Sequence, residues 1–454
     1  MSRLLQILLP LIIVSHCINA YAQKFQLIPE YAKKSHVIVH LDCNSIRAKW
    51  EQGESRFEYL LYIIAASLTR SDVYVSICDK IDLPTTLFEM DIADPTNNLF
   101  SWYEFLNDDY ENVSYIFGRI HTITQDMQKK HGGKVHRLFL YHKKQTQDRY
   151  DNSFDMIWTR DYSYISAVNG STLTLLDYLR PEKINPSNIN VEKMLNKLES
   201  GAINKSTPRD SSYLHLIKHE QPYLESVGAR IVHLPITIQP SEITTDSHRN
   251  IYISESVYNK NMSHLMTERQ CDLLQKENPS ETMCEYDIEL ILRKYLDFNK
   301  LIVLKTNKNE STHHLDTVIK FVFSPSKQKS QALLSVSNFS NVDHCNANCA
   351  VDQFNRNQLK QHGIEFEEIE DAGAYETRST YNYVNSLILD PSTVLIPYYV
   401  PEDGTQDKFL TAQNQKAIAI YQKHFTHVIP ITMYGLTGAV HCMTSDIPMI
   451  VPRN

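Results

Sequence analysis

Thr437-Gly438-Ala439-Val440-His441-Cys442-Met443-Thr444, close to the C-terminal end of a 454-residue chain, sets an imidazole beside a thiol. The pair alone proves little, because a free Cys is most often a small buried hydrophobe. Its weight comes from two other segments, Trp158-Thr159-Arg160-Asp161 and His313-His314-Leu315-Asp316-Thr317-Val318. Together they supply a thiol, an imidazole and two carboxylates. That inventory suits nucleophilic catalysis on a cationic, planar carbon centre.

His314 and Asp316 stand one residue apart ahead of a β-like run. In extended chain, residues i and i+2 face the same side, so both can enter one pocket. A surface strand with two outward polar residues is the commoner meaning of such a pair in isolation. Asp161 follows the aromatic segment 154–158, where a buried carboxylate needs a cation to offset its desolvation. Trp158 is placed to stack on a guanidinium. Cys442 is the candidate nucleophile, since a nearby cation lowers a thiol pKa and raises its thiolate fraction. His441 is expected to point away from it, because adjacent side chains alternate in extended chain. His314 is the better partner.

Composition bounds the setting. Residues 1–22 read as a secretory signal, with Arg3, an apolar run from Leu4 to Val14, and Ala20-Tyr21-Ala22 before the cleavage point. The expectation is an exported chain, secreted or periplasmic. Losing Arg3 leaves 44 basic against 53 acidic residues. No basic tract is present, which argues against nucleic acid or an anionic membrane as partner. Seven cysteines follow the signal: Cys43, Cys78, Cys271, Cys284, Cys345, Cys349 and Cys442. An odd count fits three disulfides and one free thiol in an oxidising compartment. Proximity favours the pairs Cys43–Cys78, Cys271–Cys284 and Cys345–Cys349.

Short β-rich runs alternate with amphipathic helices, the helices expected over Glu58–Leu68, Ser211–Val227, Asp287–Asp297, Val351–His362 and Leu410–His424. Strands are expected at Arg230–Ile238, Val318–Phe323 and Thr393–Pro397, among others. No Pro/Gly/Ser-rich linker divides residues 23–454, so one α/β domain is expected, with surface insertions near 181–212 and 259–285.

The three segments, in this order, resemble the guanidine-modifying enzymes of the pentein superfamily, in the agmatine deiminase and bacterial peptidylarginine deiminase branch. That branch reads W-x-R-D-x-G-P, then G-G-N, then H-x-D, then G-G-G-x-H-C-x-T. The matches are Trp158 to Asp161, His314-Leu315-Asp316 and Gly438 to Thr444. The run Asn385-Ser386-Leu387-Ile388-Leu389 through Pro397, and Pro29-Glu30-Tyr31 through His40, add to the likeness. The resemblance implies an α/β-propeller of five pseudosymmetric ββαβ units around a central site. It implies Cys442 as nucleophile on the guanidinium carbon, His314 as general acid and base, and Asp161 and Asp316 as holders of the guanidinium nitrogens. It implies a ureido product by way of a covalent thiouronium, with no metal or organic cofactor required. The implied partner is a cationic guanidino compound or an arginine side chain of a protein. Two alternatives stay open: amidinotransfer, which shares the intermediate, and a pentein that has lost turnover and serves as a binding protein.

The chain departs from the pattern in its specificity elements. Pro240-Ser241-Glu242 stands where the family has G-G-N. Proline and serine lack glycine's backbone freedom, and Glu242 brings a charge to a substrate-binding position. Of an Arg-Pro-Arg that grips the substrate carboxylate, Tyr178-Leu179-Arg180-Pro181-Glu182 keeps Arg180.

Overall fold

The computed structural model describes residues 24–41, 55–79, 87–90, 110–144, 160, 163–177, 229–234, 236–258, 261, 288–306, 314–324, 327–337, 348–373, 380–401, 404–434 and 440–449. The repeating unit is clearest in Leu387–Asp390 (β16), Thr393–Val400 (β17), Lys408–Tyr421 (α5) and His427–Tyr434 (β18). β16 pairs antiparallel with β17; α5 then carries the chain across to β18, which runs parallel to β17. Asp407 starts the helix by accepting the backbone N–H groups of Phe409 and Leu410. Leu410, Gln413, Asn414, Ala417 and Tyr421 form its buried stripe, at the three- and four-residue spacing of one helical face. Pro430 is tolerated in β18 because that strand is a sheet edge, where a missing N–H breaks no ladder.

The same order recurs. Ile319–Ser324 (β12), Lys329–Ser337 (β13), Asn348–Gln361 (α4) and Phe366–Gly373 (β14) make a second unit. Ile243–Thr245 (β9), Ile251–Ser254 (β10), Ile288–Tyr295 (α3) and Leu301–Leu304 (β11) make a third. Ile165–Asn169 (β6), Thr172–Asp177 (β7) and Arg230–His233 (β8) repeat the antiparallel-then-parallel pairing. The fifth unit is assembled from both ends of the chain. Thr444–Pro448 (β19) pairs antiparallel with Lys34–Leu41 (β2), and Ser55–Leu68 (α1) then leads to Asp72–Asp79 (β3), parallel to β2. Tyr110–His131 (α2), Leu138–Lys144 (β5) and Leu87–Met90 (β4) extend this sheet; Gln26–Leu27 (β1) and Thr380–Tyr381 (β15) edge two others.

α1 explains how the units cohere. Tyr59, Leu60, Leu61, Ile63, Ile64, Ala65, Ala66 and Leu68 are all buried, so the helix is apolar nearly all round. Such a helix belongs inside, and it lies against α2, β3 and β18. Each large apolar side chain buried there contributes roughly 1.5–3 kcal/mol. β18 comes from a different unit, so this core ties the closing unit to its neighbour.

Strands and helices fall close to their expected places, with instructive exceptions. The strand expected over Arg230–Ile238 ends at His233, ahead of Pro235, which has no N–H to give a ladder. Ile236 and Ile238 instead enter the core. α2, a 22-residue helix, was not anticipated, although Ile120, Ile123 and Met127 bury one face at helical spacing. The helix expected at 211–227 and the insertions expected at 181–212 and 259–285 lie, apart from Asn261, outside the described residues.

The topology also sets where chemistry collects. The short segments leading into the first strands of all five units carry Arg160, Gln239, His314 with Asp316, Asn382 with Asn385, and His441 with Cys442.

Candidate active site

Residues 440–443 form a turn before β19. Thr444 Oγ1 closes it by donating to the carbonyls of Val440 and His441, 3.1 Å from each. Asn385 grips the same turn from the β16 lead-in: its Oδ1 accepts the N–H groups of both His441 and Cys442 at 3.1 Å. Its Nδ2 lies 2.9 Å from Cys442 Sγ, a donor aimed at the thiol sulfur. A donor there favours thiolate over thiol. Asn385 is fully buried. Sequence reasoning quoted it only within a matching run, and nothing local marked it as a partner of the thiol 57 residues later.

His314 and Asp316 reach the thiol by a different route from the one expected. The strand begins only at Ile319, and Leu315–Thr317 is a single 3-10 turn following an extended His314. That turn, not strand alternation, brings both side chains inward. A ring nitrogen of His314, a carboxylate oxygen of Asp316 and Cys442 Sγ all lie within 4.8 Å of one another. Cys442 Sγ is 3.4 Å from Asp316 Oδ2. His314 Nε2 lies 3.1 Å from the side-chain oxygen of Gln239, so the ring donates there and keeps Nδ1 as its basic nitrogen. Gln239, just before Pro240, was not singled out from the sequence.

The expectation that His441 faces away is corrected. Alternation holds for extended chain, whereas this segment turns, and His441 Nδ1 sits 2.8 Å from Asp316 Oδ2. Its Nε2 is 3.5 Å from Glu30 Oε1, and Glu30 is held by Lys320 Nζ at 2.6 Å. Burial, reinforced by Arg160, Lys320 and Lys34, drives the His441 pKa well below its ordinary value, so the ring is neutral and donates Nδ1–H to Asp316. His441 is a buttress of the carboxylate.

Burial pushes the Asp316 carboxyl up to about 7, with Lys320 and Arg160 pulling it down and Glu30 opposing them. Oδ2 faces His441 and Cys442, while the buried Oδ1 has no hydrogen-bond partner among the described residues. A buried acceptor without a described partner is open to a further donor. A cation binds only the ionised carboxylate, so binding releases a proton from any protonated fraction. Affinity for a guanidinium ligand is therefore expected to rise as pH rises through about 7 and to plateau above it. Calorimetric titration of Cys442→Ser with a guanidino ligand at several pH values measures this, and a flat profile contradicts it.

Arg160 anchors the turn from the β6 side. Its N–H donates to the Cys442 carbonyl and its Nε to the His441 carbonyl, both at 3.1 Å. Nη2 lies 2.5 Å from Asp446, which also pairs with Lys34 at 2.8 Å. The two buried cations hold the Asp446 carboxyl far below the usual carboxylate range despite its burial. Arg160 thus ties the lead-in to β6 to the thiol turn. Asp161, Trp158 and Arg180 themselves lie outside the described residues.

Glu242, expected at the substrate, is engaged by its own loop and by Ser256. It is fully buried, with Oε2 accepting Gln239 N–H at 2.9 Å and Oε1 accepting Ser256 Oγ at 2.5 Å. Pro240–Glu242 forms a 3-10 turn in which this carboxylate caps the start. The charge that replaced an amide is spent on the loop's own backbone, and the loop presents Gln239 to His314. Cys442 is a free, buried thiol, while Cys349 is disulfide-bonded. The pairings expected for Cys43, Cys78, Cys271, Cys284 and Cys345 rest on side chains outside the described residues.

Residues 256–448 match the profile of the Porphyromonas-type peptidyl-arginine deiminases. That stretch contains His314, Asp316, Asn385 and Cys442. The family likeness drawn from the sequence holds. Among solved structures, agmatine deiminase from C. jejuni is 12% identical, with a TM-score of 0.51 covering 94% of this chain and 97% of that one. Agmatine deiminase of Enterococcus faecalis is 13% identical, with a TM-score of 0.52 over 95% and 98%. No curated protein sequence matches. The fold is that of the penteins, and the five lead-in segments are where this chain gathers its polar groups.

Proposed function

We propose that this chain is an exported deiminase that hydrolyses the guanidinium group of a peptidyl-arginine or a small guanidino compound. The observation that carries the reading is the buried juxtaposition of Cys442, His314 and Asp316, with Asp316 Oδ1 left for an incoming donor. The family match over 256–448 supports the same chemistry, and the signal-like first 22 residues support export.

The steps balance as hydrolysis. The guanidinium binds with its N–H groups on Asp316 and, by the family pattern, Asp161. Cys442 thiolate attacks the guanidinium carbon, forming a C–S bond. His314 delivers a proton to one amino nitrogen, the C–N bond breaks, and ammonia leaves. His314 then takes a proton from water as the oxygen attacks the thiouronium carbon. The C–S bond breaks and the remaining O–H proton passes to the released ammonia, giving the neutral ureido product, ammonium and the thiolate again. Neutral His441 and Asn385 hold Asp316 and Cys442 without transferring atoms.

The test is product formation. Mature protein incubated with an arginine peptide, free arginine or agmatine is expected to give ureido product and ammonia, and Cys442→Ala none. Absence of product above the Cys442→Ala background from all three substrates removes the deiminase reading.

A further inference from the structure

We propose that Asn382 is a positioning residue: its amide ties the turn carrying His314 and Asp316 to the clamp that holds the Cys442 thiol. The inference rests on Cys442 being the nucleophile. Asn382 lies three residues before Asn385, and its side chain spans two segments that meet nowhere in sequence. Nδ2 donates to the carbonyl of Thr317, the residue directly after Asp316, at 2.5 Å. Oδ1 accepts the backbone N–H of Asn385 at 3.0 Å. Thr317 is itself bound back to the His314 carbonyl through Oγ1 at 2.7 Å. One planar amide therefore fixes the separation between the base-carrying turn and the residue whose side chain meets the Cys442 sulfur and N–H.

The surroundings make the amide rigid. Asn382 is buried, Nδ2 is also 3.0 Å from Ser335 Oγ, and that hydroxyl donates to Asp371 at 2.6 Å. Tyr399 OH donates to the Asn382 carbonyl at 2.7 Å, fixing the backbone but not the strut. A polar cavity of about 20 Å³ borders the amide, lined by Thr317, Ser335, Asp371 and Asn382. A shortened side chain leaves space there and releases both turns to move independently. Small displacements of reacting groups are costly, since a misplacement of about 1 Å lowers rates about 100-fold.

The experiment compares Asn382→Ala with Tyr399→Phe. Two readouts are taken per folded molecule: kcat and KM for the guanidino substrate, and the pH dependence of Cys442 alkylation by iodoacetamide. Asn382→Ala is expected to lower kcat at least tenfold with KM changed less than threefold, and to move the alkylation midpoint to higher pH. Tyr399→Phe is expected to lower Tm while leaving both readouts at the wild-type level. An Asn382→Ala protein whose alkylation profile and kcat match those of Tyr399→Phe overturns the proposal. Should Asn382→Ala not fold, Asn382→Asp keeps the size and the acceptor for Asn385 but lacks the donor to Thr317, and the same readouts decide. The alkylation profile needs no turnover, so it judges the strut even if the deiminase reading fails.

Discussion

Asp316→Asn is expected to lower kcat/KM for a guanidino substrate by about 1,000-fold, equivalent to about 4 kcal/mol of transition-state stabilisation. The substitution keeps shape and removes charge. In the wild type, Oδ1 is a buried acceptor without a partner among the described residues, and Oδ2 is fixed by His441. An amide offers one acceptor oxygen in place of two. Either its N–H₂ meets the His441 Nδ1–H, donor against donor, or it faces the incoming guanidinium as a second donor. Neither orientation satisfies the site, and a buried donor without an acceptor costs roughly 1–3 kcal/mol before the lost ion pair is counted. Steady-state kinetics with an arginine peptide checks this, with circular dichroism confirming the fold. The variant should also lose the pH dependence of ligand affinity, because the carboxyl responsible is gone. A loss smaller than tenfold would refute the role given to Asp316.

Asn385→Ala is expected to lower kcat about 100-fold and to move Cys442 alkylation to higher pH, the size set by removing a donor to an anion and freeing the nucleophile turn. The side chain makes three contacts at once: Oδ1 to two backbone N–H groups and Nδ2 to Sγ. Truncation removes the donor that favours thiolate, so the thiol pKa rises. It also strips the Cys442 N–H of its acceptor and leaves the His441 N–H only the Asn385 carbonyl at 3.3 Å, which should appear as a lowered Tm. Combining Asn385→Ala with Asn382→Ala should cost less than the sum of the two, since both act on one linkage. Parallel melting curves, turnover and alkylation titrations separate these effects. Unchanged alkylation in a folded Asn385→Ala protein would contradict the donor role.

Much of this was legible in the chain. The 3.6- and 2-residue periodicities of Leu410 to Tyr421 and of the flanking strands yield the last ββαβ unit, and family-specific spacing supplies the other four. The thiol, His314 and Asp316 could be picked by chemical type. What stayed hidden was contact across the fold. His441 was misdirected because alternation assumes extended chain, and a four-residue turn cancels it. Glu242 looked like a charge in the pocket, yet its partners, Gln239 N–H and Ser256, are settled by a 3-10 turn that a Pro–Ser–Glu string does not announce. Asn382, Asn385 and Gln239 carry uncharged amides, the least distinctive of polar groups. Their importance lies in partners 57 to 75 residues distant in sequence.

The pairing of β19 with β2, Thr444 opposite Val39 and Asp446 opposite Val37, completes the fifth unit from two segments far apart in sequence. The thiol sits two residues before that strand, and the Asp446 latch to Lys34 and Arg160 lies two residues inside it. Arg160, Gln239, His314, Asp316, Asn382 and Asn385 are all synthesised earlier. An unfinished copy leaving the ribosome thus holds His314 and Asp316 but lacks the thiol. Pairing of β19 with β2 is what sets the thiol beside His314 and Asp316.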